Sequence, residues 1–344
     1  MLKKRILAIA LVTFSVVLTS TSFYIWQVVY TPNVLVDQDD RVISIYPGTS
    51  FEDIQDLFYE ERIVKDLISF SVLAKFMDYD SNIKTGRYLL THEMSNYNAI
   101  KVLRAGSQTP VNITFNSIRF LEELPEKVSG NLAMKESDLD SLLKDPSVAD
   151  SYGFLPETFI SMFIPNTYEV YWTTTPTELL DRMNSEYQKF WNEERKAKAD
   201  SLNLSPQEVS TLASIVQAET IKNDERPRVA GVYLNRLKKN IALQADPTLI
   251  FALGDFTIKR VLNEHKEIES PYNTYKYRGL PPGPINMPSI QSIDAVLNYE
   301  EHNYYYFCAK EDFSGYHNFA TNLNQHLRNA RLYQSALNRA RLYR

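Results

Sequence analysis

The sequence predicts an α+β protein behind one apolar helix. Three observations point there. Residues 6–30 carry no charge, residues 41–115 alternate short β-type runs with capped helical periods, and residues 116–204 read mainly as helices. With 344 residues, 44% of them apolar and 23% charged, the composition is that of globular protein and not of a disordered chain. With a net charge of −5, no broad basic face suggests nucleic acid as a partner, and none is expected. The single cysteine, Cys308, rules out an intrachain disulfide.

The uncharged run ILAIALVTFSVVLTSTSFYIWQVVY exceeds the roughly 20 residues that cross a hydrocarbon core. Lys3, Lys4 and Arg5 precede it, and Asp37, Asp39 and Asp40 open the far side. The positive-inside rule therefore expects a cytoplasmic tail over 1–5, one transmembrane helix over 6–30 in the cytoplasmic (inner) membrane, and everything beyond outside it, periplasmic if an outer membrane exists. Phe23, Tyr24, Trp26 and Tyr30 would form an aromatic belt at the outer interface. The alternative is a cleaved signal peptide, whose apolar region is shorter and ends in an A-x-A-like site that is missing here.

From 41 to 115 the elements come in order. RVISIY alternates as a strand, and Thr49 with Glu52 suggests a capping box before the stripe Ile54, Leu57 and Phe58. A second helical period covers about 65–77 through Phe70, Leu73, Phe76 and Met77. KTGRYLL reads as a strand, SNYNAIKVLRAG as a helix ending in glycine, and VNITF as a strand. The region 116–204 connects this module to the C-terminal part of the chain, with LEELPEKVSG and TELLDRMNSEYQKFWNEERKAKADSL as helices; NEERKAKAD is most simply a solvated helix face. Residues 205–330 are richer in special residues, and 331–344 read as a basic C-terminal helix.

Several chemistries are absent from the text. There is no G-x-S-x-G elbow, no P-loop, no G-x-G-x-x-G and no H-E-x-x-H. None of the five histidines pairs with another at helical spacing, so no zinc site is expected. Carboxylates remain. SPQE at 205–208 opens a helix with the stripe Val209, Leu212, Ile215 and Val216, and the next position on that face is Glu219. Glu219 lies about 20° from Leu212, 40° from Ile215 and 60° from Val216, with Gln217 pointing nearly the opposite way, and so outward. If the helix runs on, Asn223 and Arg226 share its face. A carboxyl in an apolar stripe is desolvated, which raises its pKa and suits a general acid for glycosidic cleavage. The plainer alternative is a glutamate at the edge of a core, snorkelling to solvent or paired with an arginine.

Two loops add candidates. In SPYNTYKYRGLPPGPINMPS, Tyr272, Tyr275 and Tyr277 interleave with Asn273 and Arg278 before a Pro- and Gly-stiffened run; aromatic faces flanked by amides suit sugar rings, although a rigid connecting loop would read the same way. LQADPT places Gln244 and Asp246 in a turn, where Asp246 caps a helix or supports a site.

LASIVQAETIKNDERPRVAGVYLNRLKKNIALQADPT, SPYNTYKYRGLPPGPINMPS and HNFATNLNQH occur in that order, after IPNTYEVYW. Together they resemble the signatures of the endolytic murein transglycosylases of the MltG (YceG-like) family, over roughly residues 40–330. The resemblance implies a LysM-like module at 41–115 and a mainly helical, lysozyme-like catalytic core with short strands at 205–330. It places the catalytic glutamate on Glu219. Where that family commonly has two acids, this chain has Gln217 and then Glu219, which favours the second and agrees with position 217 facing away. The tyrosine, asparagine and Pro-Gly loop fall on Tyr272, Asn273, Pro281, Pro282 and Gly283, and the late pattern on His317, Phe319, Thr321 and Asn322.

The implied activity is endolytic, non-hydrolytic cleavage of the MurNAc-β-1,4-GlcNAc bond with 1,6-anhydro-MurNAc ends, limiting nascent strand length, without cofactor or metal. Gln244, Asp246, Tyr272, Asn273, Tyr275, Gly283 and Asn322 are the candidate substrate-binding residues. Implied partners are peptidoglycan glycan strands, the membrane through 6–30, and peptidoglycan synthases or division and elongation proteins. The rivals are a muramidase using water with Asp246 as second acid, and a non-catalytic, membrane-anchored wall-binding scaffold.

Overall fold

A computed structural model describes residues 2–116, 118–258 and 260–340. The fold is α+β, rich in helix and sparing in strand, and the chain forms two compact units. One comprises residues 1–113 with the short segments 131–133 and 169–174, and the other comprises the rest. Residues 116–204 thus belong mostly to the same unit as 205–330.

In the first unit, α1 (Leu2–Tyr30) is an uninterrupted helix, long and apolar enough to cross a membrane. It leads into β1 (Pro32–Val34) and β2 (Arg41–Ile45), then α2 (Phe51–Glu60) and α3 (Leu67–Phe76). β3 (Gly86–Leu90), β4 (Met94–Ser95) and α4 (Asn96–Ala105) complete it. β1 pairs antiparallel with β4, and β2 with β3, in the register Arg41↔Leu90 to Ile45↔Gly86. Ile43, Ile45, Tyr88 and Leu90 of that ribbon share one buried core with Ile54, Phe58, Phe70 and Ile100 of the helices. A buried amide pair locks the layer. Asn33 Nδ2 donates to Asn96 Oδ1 at 2.7 Å and its Oδ1 accepts the Asp66 N–H at 2.8 Å. Asn96 in turn donates to the Val28 carbonyl at 2.9 Å, tying in the end of α1.

Two local expectations shift. The capping box of α2 uses Ser50 and Asp53 instead of Thr49 and Glu52; Ser50 is the extended residue whose hydroxyl reaches the Asp53 N–H, at 3.1 Å. Phe76, expected on the apolar stripe of α3, is 85% exposed because that helix ends there.

Beyond α4, β5 (Val111–Phe115) is followed by α5 (Leu124–Ser129), α6 (Glu136–Leu143) and α7 (Pro146–Ser151), and β6 (Asn166–Val170) pairs with β5. The long helical period at 177–202 breaks into α8 (Pro176–Phe190) and α9 (Glu193–Ser201). Trp191 turns inward to full burial there, and Asn192 caps the new start through the Arg195 N–H. Then come α10 (Pro206–Glu219), α11 (Arg226–Lys238), α12 (Asp246–Leu253) and α13 (Ile290–Leu297). The hairpin β7 (Tyr306–Ala309) and β8 (His317–Ala320) precedes α14 (Leu323–Arg339). The segment 331–344, expected as its own helix, continues α14 as far as Arg339; residues 341–344 lie outside the described residues.

Candidate active site

The site is built on α10. Ser205 accepts the Glu208 N–H at 3.2 Å, and Glu208 returns to the Ser205 N–H at 2.7 Å, so the expected capping box is present. Every residue from Val209 to Val216 is buried. The stripe Val209, Leu212, Ile215 and Val216 is therefore not the wet-and-dry boundary of a surface helix; α10 is enclosed on all sides over this stretch. Its polar members are satisfied locally. Ser210 and Thr211 return their hydroxyls to the carbonyls of Pro206 and Gln207, and Ser214 to that of Thr211.

Enclosure corrects the reading of Gln217. It does point away from Glu219, but that direction leads into protein and not outward. Its amide donates to Asn286 Oδ1 at 2.9 Å and to the Met287 carbonyl at 3.1 Å. Its carbonyl accepts the Ser289 N–H at 2.7 Å and the Ser292 hydroxyl at 3.0 Å. Gln217 thus fastens α10 to the start of α13. The helix also stops at Glu219, since Thr220 is extended (φ −142°, ψ 135°); Asn223 and Arg226 do not continue its face, and Arg226 opens α11.

Glu219 faces a cleft of about 390 Å³. Its walls come from Tyr233 and Arg236 on α11, Leu243, Gln244 and Asp246 leading into α12, and Tyr275. Tyr306, Phe307, Cys308, Ala309 and His317 of the hairpin, with Leu323 and His326 of α14, complete the lining. Tyr233, 1% exposed, donates its hydroxyl to Glu219 Oε1 at 2.5 Å. Glu219 keeps some surface open to the cleft, yet protein crowds its carboxyl enough that burial pushes the pKa up to about 7. The Tyr233 hydrogen bond opposes that rise, the negative charge of Asp246 adds to it, and the Arg236 guanidinium opposes it. Arg236 is itself committed to backbone carbonyls, at 2.6 Å from Tyr305 and 2.8 Å from Leu243, so it shapes the cleft without ion-pairing with Glu219.

Of the residues expected to bind substrate, the cleft brings together Gln244, Asp246 and Tyr275. Tyr275 donates to Asp246 Oδ1 at 2.6 Å. Gln244 holds a left-handed backbone (φ 51°) that turns its neighbours toward α12. Four others are placed elsewhere. Tyr272 is half-buried against Phe251, ring centroids 4.7 Å apart. Asn273 is fully buried and its amide is spent inside the loop. Nδ2 donates to the Lys266 and Ile268 carbonyls, and Oδ1 accepts the Tyr275 and Lys276 N–H groups. Gly283 is buried where a Cβ would collide with the Glu157 carbonyl oxygen. Asn322 caps α14 through the Gln325 N–H at 3.0 Å. These four shape the loops around the cleft without lining it.

Sequence reasoning missed Tyr233 and Arg236. The signal was available: they stand three apart on α11, hence on one face, inside the long motif that contains Glu219. Tyr306 and Phe307 had no such signal, since hairpin pairing alone brings them in. The same unit holds a second cavity of about 390 Å³. Ala218 and Pro247 line it, each the chain neighbour of a residue of the first cleft, Glu219 and Asp246. Phe251, Phe256 and Ile285 give it an apolar wall, and Arg119 stacks on Phe256 at 3.7 Å. Among the described residues no group of three or more His, Cys, Asp or Glu is arranged to hold a metal ion.

Comparison with known proteins adds the relatives. The YceG-like family model matches residues 43–332. The endolytic murein transglycosylase of Streptococcus pneumoniae serotype 2 (strain D39 / NCTC 7466) is 27% identical over 93% of this chain and 64% of its own length. The chain thus spans 64% of the length of that pneumococcal relative. The protein of the same name from Bacillus subtilis (strain 168) is 27% identical over 88% of each chain. A solved YceG-like protein of Listeria monocytogenes has a TM-score of 0.54 at 25% identity, covering 84% of this chain and 98% of its own. With its family signature running across most of its length and its fold shared with a solved member, this chain belongs to the YceG-like family.

Proposed function

We propose that this chain is a membrane-anchored endolytic peptidoglycan lytic transglycosylase that cleaves the MurNAc-β-1,4-GlcNAc bond and leaves 1,6-anhydro-MurNAc ends. The observation that carries the reading is Glu219, a carboxyl held near a pKa of about 7 on the wall of a cleft. The name of the pneumococcal and Bacillus relatives supports it.

The chemistry needs one carboxyl. Tyr233 donates to Oε1, so the acid proton of Glu219 sits on Oε2. That proton passes to the leaving glycosidic oxygen as the C1–O bond breaks through an oxocarbenium-like state. Glu219, now a carboxylate, takes the proton from the muramic C6 hydroxyl, whose oxygen closes on C1. The 1,6-anhydro ring forms, Glu219 is reprotonated, and no water is consumed. Because the nucleophile belongs to the substrate, a second carboxylate is unnecessary, in contrast with ordinary glycosidases. In this reading Gln244, Asp246 and Tyr275, which line the cleft, meet the sugar. Tyr272, Asn273, Gly283 and Asn322 act on substrate only through the loops they hold.

In this reading α1 is a single-pass anchor in the cytoplasmic membrane with its N-terminus inside and the catalytic core outside. The LysM-like module at 41–115 contacts the wall, and synthases or division and elongation proteins are partners. Digestion of purified sacculi followed by mass spectrometry tests the activity. Anhydro-ended fragments, lighter by one water than hydrolysis products, support it; hydrated ends would make the chain a muramidase with Asp246 as second acid, and no release would make it a binding protein. Alkaline extraction of membranes tests the anchor, which fails if the chain is recovered in the soluble fraction.

A further inference from the structure

A second carboxyl is buried beside the cleft and has no part in that chemistry. Glu225, 3% exposed, precedes α11 and reaches the β7–β8 hairpin. Its Oε1 accepts the His317 backbone N–H at 2.8 Å, and its Oε2 lies 2.7 Å from His317 Nδ1. Oε2 also takes the hydroxyl of Thr220, the residue after Glu219, at 3.4 Å. Neighbouring contacts hold the same strap. The Tyr316 hydroxyl donates to Asp224 at 3.0 Å, and the Lys222 ammonium lies 4.9 Å from the centre of the Tyr316 ring. The segment from Thr220 to Glu225 is thereby clasped to the start of β8, and His317 is set into the wall of the cleft that holds Glu219. Its ring meets Phe307 edge-on at 5.2 Å, and Phe307 meets Tyr233 at 5.8 Å.

The anchoring atom decides the tautomer. Both Glu225 oxygens already accept, Oε1 from the His317 N–H and Oε2 from the Thr220 hydroxyl, so the hydrogen between Oε2 and Nδ1 belongs to Nδ1, and with a single ring proton Nε2 is a bare acceptor. Among the described residues Nε2 of His317 has no hydrogen-bond partner, while the ring lines the cleft. His302 is the opposite case. Its Nε2 donates to the Arg228 carbonyl at 2.8 Å and its Nδ1 accepts the Tyr304 N–H at 3.1 Å, which fixes the proton on Nε2. We infer that His317 touches the substrate, accepting through Nε2 a hydrogen bond from a hydroxyl or acetamido N–H of an N-acetylated sugar, and that Glu225 is the positioning residue that fixes its tautomer. The ligand class rests on the glycan-cleaving reading; the tautomer does not.

Nitrogen-15 NMR of the full chain in detergent micelles, labelled at histidine, reads the tautomer directly. The His317 signals are assigned by their loss in His317→Gln, and His302 serves as the Nε2–H reference. The expected result at neutral pH is an Nδ1–H tautomer for His317; an Nε2–H tautomer or a doubly protonated ring overturns the inference. In Glu225→Gln the new amide can donate to Nδ1, so the proton should move to Nε2 and kcat/KM for anhydro-product release should fall about tenfold, the worth of one hydrogen bond. A moved proton with unchanged activity removes the substrate contact. His317→Gln, whose amide oxygen can stand in for Nε2, should keep several-fold more activity than His317→Ala; equal losses would mean a purely structural role. Finally, a GlcNAc–MurNAc tetrasaccharide added to Glu219→Gln should shift the His317 Nε2 resonance, and saturation without a shift counts against the contact. If wild-type protein releases no product, the catalytic reading fails while the tautomer and the titration still decide this one.

Discussion

Tyr233 and Glu219, fourteen residues apart and on consecutive helices, share a hydrogen bond of 2.5 Å from the phenol hydroxyl to the carboxyl oxygen. The bond favours the charged form of Glu219 and so restrains the rise that burial causes. Replacing Tyr233 with Phe removes only that donor. The Glu219 pKa should then climb above its present value of about 7, and the alkaline limb of the pH–activity profile should move to higher pH. A limb that stays in place, or moves down, contradicts the assignment of the acid.

Glu219→Gln should end formation of anhydro product, because the amide can neither give nor recover the proton. The fold should survive, since glutamine fills the same space and can still accept from Tyr233. Product analysis by mass spectrometry together with circular dichroism checks both halves. Full activity in a folded variant would sink the proposal.

The same carboxyl makes stability depend on pH in a definite direction. Its pKa is raised from 4.5 unfolded to about 7 folded, so the stability it contributes is fully present below 4.5 and is lost as pH rises to 7. Ionising it in place costs at most on the order of 3 kcal/mol. Glu219→Gln should therefore melt at about the wild-type temperature near pH 4.5 and at a higher temperature near pH 8. A wild-type advantage at pH 8 would argue against a neutral buried acid.

Gly283→Ala separates scaffold from substrate contact. Its Cβ would run into the Glu157 carbonyl oxygen, in backbone that cannot simply rotate away. The expected loss is about 3 kcal/mol of stability, seen as a lowered denaturant midpoint. Asn273→Ala should cost about 2 kcal/mol by stranding the backbone groups its amide now serves. In both variants the fraction that remains folded should keep its KM; a raised KM at normal stability would restore these residues to the substrate.

Much of the fold is legible in the chain itself. The SPQE box, the strand RVISIY and the glycine-terminated helix at 96–105 are written in local chemistry, and the structure has all three. Periodicity also puts Glu219 in phase with residues that are fully buried. It does not show that α10 is enclosed on every side, because that depends on α11, α13 and the 285–289 loop arriving from elsewhere in the chain. The same limit misdirects the reading of Gln217, whose direction is right and whose surroundings are not. Asn273 and Gly283 carry a substrate-like signature of amide and glycine, yet both answer to backbone, a few residues away for one and more than a hundred for the other.

The point where α10 ends has an electrical consequence. Glu219 is its last residue, at the negative pole of the helix, whereas Asp246 is the first residue of α12, at a positive pole. Two carboxyls that share one cleft therefore stand at opposite ends of their helix dipoles. A negative charge on Asp246 reinforces α12, and a negative charge on Glu219 works against α10 by up to about 1 kcal/mol. Each time Glu219 gives up its proton it loads its own helix end, and taking a proton back relieves that load.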